Sequence, residues 1–275
     1  MDGKEKEEFG TLYARIEDLC LRAERGETAV SSFLSPRELH YAARYLDRRG
    51  ASFFAFGGYC GAERKRLYFV PDYVGLSEDA LQDPERELSC VEALRDFGIG
   101  HQICAFRITG SGYRVLSHRD FLGSLLGLGL ERNVLGDVAV EDEQGRSGVV
   151  FCEERIADFI ENSLTRVAND KVKVSRLEVS SYTPPKRVFT AVSDTVASFR
   201  LDGVVAALCG LSREKARDAV LGGLVEINFE REERPDRTVT PPALISVRGV
   251  GRFRVISLND RTRKGRIRME AEQFR

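Results

Sequence analysis

Paired cysteines and long apolar runs are both missing from this sequence, and each absence narrows its chemistry. Cysteine occurs six times (Cys20, Cys60, Cys90, Cys104, Cys152 and Cys209), always singly, with no C-x-x-C spacing and no histidine pair nearby. Zinc sites and disulfide frameworks need clustered ligands or paired thiols, so the pattern predicts reduced, mostly buried thiols in a cytoplasmic protein without a metal site. The longest apolar candidate, Phe121 to Leu130, falls well short of the ~18 residues of a membrane span. The opening MDGKEKEEFG is charged throughout, unlike the apolar centre of a secretory signal. No membrane partner is expected. What is present, 42% hydrophobic and 31% charged residues over 275 positions, suits a globular protein with two or three domains, each burying its own core.

The net charge of −1 conceals an asymmetry. Residues 200–275 carry 16 Lys+Arg against 11 Asp+Glu, whereas the preceding residues carry 26 against 32. Such segregation suits one nucleic-acid-facing module on a neutral or acidic body.

At the N-terminus, Leu12, Ile16, Leu19, Cys20 and Ala23 predict an amphipathic helix. Ser35-Pro36-Arg37-Glu38 opens a second, with Leu39, Ala42, Ala43 and Leu46 inward and proline at the first helical position. Ala51 to Phe56 and Leu67 to Val70 read as strands. The glycine-rich basic segment between them, Gly57 to Arg66, lacks G-x-x-x-x-G-K-[ST] and is expected to be a solvated turn. These elements make an N-terminal α/β domain over residues 1–82.

Residues 83–180 follow a βαββαβ order, the split, ferredoxin-like arrangement also adopted by RRM domains. Val91 to Phe97 reads as an entry segment and Ile103 to Ile108 as a strand. His118 to Gly129 reads as a helix with Phe121, Leu122, Leu125 and Leu126 inward. A hairpin turns at Asp142 to Gly145, a second helix is lined by Ile156, Phe159, Ile160, Leu164 and Val167, and Val172 and Val174 begin the last strand. Gly123 and Gly127 each cost about 1 kcal/mol of helix propensity, so close backbone packing is expected there. Phe106 and Phe151 are candidates for stacking bases. His118-Arg119-Asp120 invites an acid–base reading, but a kinase loop would need the V-A-I-K lysine ahead of it and D-F-G after it, whereas no V-A-I-K occurs and Asp96-Phe97-Gly98 precedes the triplet.

Residues 181–198 read as a linker because Pro184-Pro185 continues neither a helix nor an interior strand. Within residues 199–275, Leu201, Val204, Val205, Leu208 and Cys209 predict a short helix ended by Gly210. Ser212 caps a second helix whose Arg213 and Arg217 share a face, Gly222-Gly223 ends it, and Val225 and Ile227 begin a strand. Arg252-Phe253-Arg254-Val255 and Arg266-Ile267-Arg268-Met269 alternate basic and apolar residues as one-sided strands do.

The stretch Arg200-Leu201-Asp202, Ser212-Arg213, Ala216 and Val220-x-x-Gly223-x-Val225-x-Ile227-Asn228 resembles the RNA-binding domain named after small-subunit ribosomal protein S-four. Two positions depart from that pattern: Phe229 replaces a glycine, and Pro241-Pro242-Ala243 replaces a Gly-Asp turn. Across nearly the whole chain, GGY-x-x-AERKR (Gly57 to Arg66), HRDFLG with LGLGLER and GDV (His118 to Val138), and ISVRGVGRF (Ile245 to Phe253) are similar to the bacterial YlmH family. The resemblance implies an α+β protein that binds structured RNA (rRNA, and tRNA as a further candidate) on the large ribosomal subunit, in quality control of obstructed subunits and nascent-chain tailing, without DNA as a partner. The family-matched RNA face would comprise Arg200, Ser212, Arg213, Lys215 and Arg217, with Arg248 and Arg252 beyond them. An RNA-modifying enzyme is the first alternative, yet His118-Arg119-Asp120 lacks the leucine of a pseudouridine synthase's H-R-L-D; a tyrosyl-tRNA synthetase, another owner of the S-four domain, would require H-I-G-H and K-M-S-K-S, and neither occurs. A cell-division interaction module is the second. No catalytic residue and no cofactor is assigned.

Overall fold

The computed structural model describes residues 3–70, 100, 102–141, 144–185, 189–263 and 265–274. The expected entry segment Val91 to Phe97, Cys90, most of the hairpin tip at Asp142-Glu143 and the boundary at residue 82 lie outside the described residues. The chain divides into two compact units, Met1–Pro185 and Lys186–Arg275.

The first unit begins with α1 (Gly3–Glu24), β1 (Ala29–Val30), α2 (Pro36–Arg49), β2 (Phe54–Phe56) and β3 (Arg66–Phe69), the strands forming an antiparallel sheet in the order β1-β3-β2. Helix α2 starts where the sequence predicts. The Ser35 hydroxyl accepts from the Glu38 amide at 3.3 Å, and the Glu38 carboxylate accepts from the Ser35 amide at 2.8 Å, a reciprocal cap worth about 1 kcal/mol. It stops at Gly50, whose φ of 69° is left-handed. Ile16, Cys20, Ala42, Leu46, Leu67 and Phe69 bury the inner faces of both helices against the sheet.

There follow β4 (Ile103–Gly110), α3 (His118–Gly127), β5 (Leu135–Val140), β6 (Ser147–Glu153), α4 (Ala157–Ser163), β7 (Arg166–Val167) and β8 (Asp170–Leu177). The antiparallel sheet has the order β5-β6-β4-β8-β7, so its four long strands have the ferredoxin-like arrangement, with β7 as a short addition at the edge. Phe106, Ile108, Val150 and Cys152 on one face meet Phe121 and Leu125 of α3 and Ala157 and Ile160 of α4. Truncating a side chain such as Phe121 to alanine there costs about 3–5 kcal/mol.

Three expectations for these helices are corrected. Leu126 and Phe159 are 39% and 46% exposed, because each directly adjoins a residue of the buried stripe (Leu125 and Ile160) and is carried about 100° off it. Gly123 and Gly127 have nothing within 4 Å of where a Cβ would stand, so their glycines answer no packing demand.

The opposite face of the same sheet is also partly covered. Ala105, Val149 and Phe151 join Phe33, Phe54, Phe56, Tyr59 and Tyr68 in one aromatic cluster. Phe106 and Phe151 are both fully buried, one on each face, so neither is presented to a base.

In the second unit, β9 (Phe189–Val196), α5 (Leu201–Cys209), α6 (Arg213–Leu221), β10 (Val225–Ile227), β11 (Glu230–Arg231), β12 (Ala243–Val247), β13 (Gly251–Arg261) and β14 (Ile267–Phe274) form a two-helix layer on an antiparallel sheet ordered β11-β10-β12-β13-β14-β9. Strand β9 corrects the linker reading of 181–198, since Phe189 to Val196 pairs residue by residue with β14. Its sequence, FTAVSDTV, buries only Val196 fully. An edge strand of this kind carries little apolar alternation and is held mainly by backbone hydrogen bonds. The predicted alternation in β13 and β14 is present: Phe253, Val255, Ile267 and Met269 enter the core, while Arg254 and Arg268 stay exposed.

Candidate nucleic-acid interface

Arg200 and Arg213 stand at the N-terminal ends of two successive helices, and the sequence between them explains how they meet. Helix α5 has no side-chain cap at Arg200. Its first amides instead donate to the segment ahead of β12, Leu201 to the Arg237 carbonyl at 2.8 Å and Asp202 to the Pro235 carbonyl at 3.0 Å. Gly210, at φ 62°, ends α5. Ser212 then caps α6, its hydroxyl accepting from the Lys215 amide at 3.3 Å, which leaves that hydroxyl engaged in the fold.

The side chain between the two arginines is Asp202, only 5% exposed. Arg200 donates to both of its carboxylate oxygens at 3.2 Å, and Arg213 to both at 3.3 Å. Burial alone would raise the Asp202 pKa, but the hydrogen bonds and charge of the two guanidiniums outweigh it and hold the carboxyl below its ordinary value. The arginines themselves remain 43% and 58% exposed. One buried anion thus orients two accessible cations, each presenting its remaining N–H donors outward in the planar geometry that suits phosphate.

Arg200, Asp202, Arg213, Glu214, Arg217, Pro235 and Asp236 line an open cleft of about 730 Å³. Three arginines face three carboxylates there, so the cleft owes its donors to arrangement and not to net charge. Lys215 is exposed but turns to another side of α6, as its offset of two residues from Arg213 and Arg217 requires. Arg248 is exposed in the β12–β13 turn, where its amide donates to the Leu224 carbonyl at 2.9 Å. Arg252 lies on β13 opposite Ser246 with its guanidinium 5.8 Å from the Phe274 ring centre. The structure therefore brings Arg200, Arg213 and Arg217 into one cleft, and Lys215, Arg248 and Arg252 are not among its lining residues. Asp202, the organising group, was visible in the Arg-Leu-Asp triplet but carries the wrong charge to attract notice as a phosphate-binding residue.

The basic segment Gly57 to Arg66 is not a solvated turn. Arg64 and Arg66 are 9% and 5% exposed. The Arg64 guanidinium donates to the carbonyls of Phe33, Arg132 and Leu135, and Arg66 to those of Ser31 and Gln102. Asp137 of the Gly-Asp-Val triplet accepts from the Tyr59 hydroxyl at 2.7 Å and from the amides of Glu63 and Arg64 at 2.7 and 3.0 Å. Arg132 closes the arrangement on the carbonyls of Leu135 and Gly136, and burial, followed by the charge of Arg64, brings its pKa down to about 10. Gly58 has φ 105°, and a Cβ there would stand 2.4 Å from the Phe151 ring. These motifs hold the segment to β5.

His118-Arg119-Asp120 has a local structural role too. Asp120 completes a capping box, accepting from the Ser117 amide at 2.8 Å and the Ser117 hydroxyl at 2.6 Å, and these bonds lower its pKa. His118 is the exposed first residue of α3. Among the described residues, no group of three or more His, Cys, Asp or Glu side chains is placed to hold a metal ion. No helix among them is long and apolar enough to cross a membrane.

Comparisons with known proteins add to this geometry. A family model described as "Putative RNA-binding domain in YlmH" matches residues 100–181, the segment from β4 to β8. "Ribosome-associated protein quality control protein P2" from Bacillus subtilis (strain 168) is 30% identical over 269 residues, covering 98% of this chain and 96% of that protein. The solved structure of "Cell division protein ylmH" from Streptococcus pneumoniae aligns with a TM-score of 0.49 at 14% identity, over 66% of this chain and 95% of that one.

Proposed function

From the membership of this chain in the YlmH family, we infer that it is a ribosome-associated RNA-binding protein. Its C-terminal unit would dock, in the manner of an S-four domain, on structured RNA of the large subunit. The observation that carries this reading is the pair of exposed guanidiniums, Arg200 and Arg213, held by one buried carboxylate beside Arg217. Contacts of this type position a protein on phosphates and read the shape of an RNA more than its sequence. The full-length similarity to a protein named for ribosome-associated quality control supports a ribosomal setting. In this reading the chain is a cytoplasmic factor that binds obstructed large subunits, with peptidyl-tRNA within reach, during nascent-chain tailing. The role is binding and not catalysis. The most enzyme-like triplet in the sequence has its aspartate engaged in capping α3.

Sedimentation of lysate through sucrose gradients, blotted for the protein at low and high salt, tests this reading. Co-migration with large subunits should weaken as salt rises, since each phosphate contact releases counterions on binding. Arg213→Glu should shift the protein toward the top of the gradient while its circular dichroism stays native. The reading fails if the wild-type protein remains at the top at low salt even when stalled ribosomes are enriched.

A further inference from the structure

The cleft beside α5 has a neighbour built in the same way. Between β11 and β12 the chain reads Glu232-Glu233-Arg234-Pro235-Asp236-Arg237. The Glu232 side chain is only 15% exposed, and its carboxylate accepts from Arg234 Nε at 3.0 Å and from Arg234 Nη2 at 3.1 Å. The Arg234 amide donates to it as well, at 3.0 Å, and the Arg237 guanidinium stands 3.7 Å from it. The side-chain bonds from Arg234 are the largest of the causes that hold the Glu232 carboxyl below its ordinary pKa, against the effect of burial. Both arginines remain largely in solvent, at 66% and 54%. As at Asp202, a sheltered anion fixes two exposed cations.

Backbone hydrogen bonds fix this loop along its length. At its start the Glu232 amide donates to the Val225 carbonyl at 3.0 Å, and in its middle the Arg237 amide closes a turn on the Arg234 carbonyl at 3.1 Å. The carbonyls of Pro235 and Arg237 accept the first amides of α5. Just beyond, the Val239 amide donates to the Phe199 carbonyl at 2.8 Å, and the Val239 side chain is buried in the core. One loop therefore both caps α5, where Arg200 stands, and carries Arg234 and Arg237. Pro235 and Asp236 line the cleft, and the charge of Asp236 acts on Arg200 and on Arg234 alike. The two arginine pairs are neighbours with Asp236 between them.

We propose that Arg234 and Arg237 form a second phosphate-binding site, positioned by Glu232, and that the two arginine pairs together grip the backbone of paired RNA. The donors left over select phosphate. Arg234 uses Nε and Nη2 on Glu232 and keeps Nη1, while Arg237, at ion-pair distance, makes no hydrogen bond with its guanidinium among the described residues. The mounting selects a ligand of fixed shape. Guanidiniums oriented by carboxylates on a backbone-pinned loop match phosphates that a duplex holds at constant spacing. No aromatic side chain lines the cleft or occurs in the loop to stack an unpaired base. The proposal rests on the reading of the second unit as an RNA-docking module and extends it to residues outside the sequence pattern that suggested it.

The test is fluorescence anisotropy with the full-length protein, a labelled RNA hairpin and a labelled oligouridylate, titrated over a range of salt. The wild-type protein should bind the hairpin more tightly than oligouridylate. Arg234→Ala combined with Arg237→Ala should weaken hairpin binding about tenfold and make its salt dependence shallower by about two counterions, one for each guanidinium. Glu232→Gln should weaken it about fivefold although a negative charge is removed, because the arginines lose the acceptor that orients them. Circular dichroism should stay native, since the changes fall in a surface loop held by its backbone. Wild-type affinity and salt dependence in the double-arginine variant, with Arg213→Glu weakened, overturns the proposal and leaves the C-terminal reading intact. Wild-type binding by both variants overturns the two together. Tighter hairpin binding by Glu232→Gln overturns the positioning role, and a preference of the wild-type protein for oligouridylate overturns paired RNA as the ligand. Unchanged hairpin affinity in the double-arginine variant, accompanied by loss of a ribosomal-protein contact that survives RNase, overturns it in favour of an acidic protein partner.

Discussion

Two arginine-rich places in this molecule look alike in sequence and differ in what their guanidiniums bond. In the first unit, Arg64, Arg66 and Arg132 donate to backbone carbonyls, the first two buried and the third half-buried. In the second, Arg200 and Arg213 share one buried carboxylate and keep about half of their surface in solvent. A carbonyl has no net charge, so a guanidinium satisfied by carbonyls must be enclosed by many of them, and its donors are consumed. A carboxylate offers both its oxygens and its charge to two guanidiniums at once and leaves donors free on each. The acceptor, and not the arginine, decides whether a basic motif is mortar or a docking surface.

If that distinction holds, removing the anion that organises each place should have opposite consequences. The larger effect belongs to the first unit. Asp137→Ala leaves the amides of Glu63 and Arg64 and the hydroxyl of Tyr59 without their acceptor, beside the enclosed Arg64. A loss of about 3 kcal/mol is expected, from unsatisfied donors that the surrounding packing keeps from water. Thermal or urea unfolding of the full-length protein would measure it. A change below about 0.5 kcal/mol, the range of an ordinary surface substitution, would mean that the segment is held by its aromatics alone.

Asp202→Asn tests the other side. The amide preserves shape but removes the charge that draws two cations together. Because both guanidiniums reach water once released, the expected stability loss is only about 1.5 kcal/mol. RNA affinity should fall even though a negative charge has been removed from a phosphate-binding cleft. Tighter binding by Asp202→Asn would show that Asp202 merely opposes the ligand. The contribution of Asp202 also has a direction in pH. Its folded-state pKa is depressed, so the stabilisation is fully present above the ordinary carboxylate value of about 4 and is lost as pH falls below it, through the depressed value.

How far the sequence revealed these roles depended on the kind of signal each carried. Periodicity identified both helices of the second unit and the ferredoxin-like order of the middle sheet, because Phe121 and Leu125, or Val204 and Leu208, report burial directly. Strand β9 escaped, since an edge strand held by its pairing with β14 needs little apolar alternation. The burial of Arg64 and Arg66 escaped for a different reason: a sequence lists donors, but the carbonyls that enclose them come from residues as distant as Phe33 and Leu135. Of the cleft, Arg213 and Arg217 could be read from helix spacing, and Arg200 from the resemblance to the S-four pattern. The role of Asp202 needed the geometry.

The smallest expected effect concerns a position where the sequence departs from the pattern it otherwise follows. The β10–β11 hairpin turns on Asn228 and Phe229, with φ of 49° and 68°. Two consecutive left-handed residues match the right-handed twist of a two-residue hairpin, and asparagine followed by glycine is the pair that adopts them most readily. Asn228 earns its place, its side-chain oxygen accepting from the Leu244 amide at 2.8 Å. Phe229 bears the steric cost of a Cβ in this region, about 1 kcal/mol. Phe229→Gly should therefore raise the stability of the second unit by somewhat less than that, because glycine also gains freedom in the unfolded chain. Chemical denaturation of the full-length protein, following the transition of this unit, would detect the shift. Loss of stability would instead assign the ring a packing role strong enough to outweigh the strain, and unchanged RNA affinity in the same variant would place the hairpin outside the docking surface that Asp202 organises.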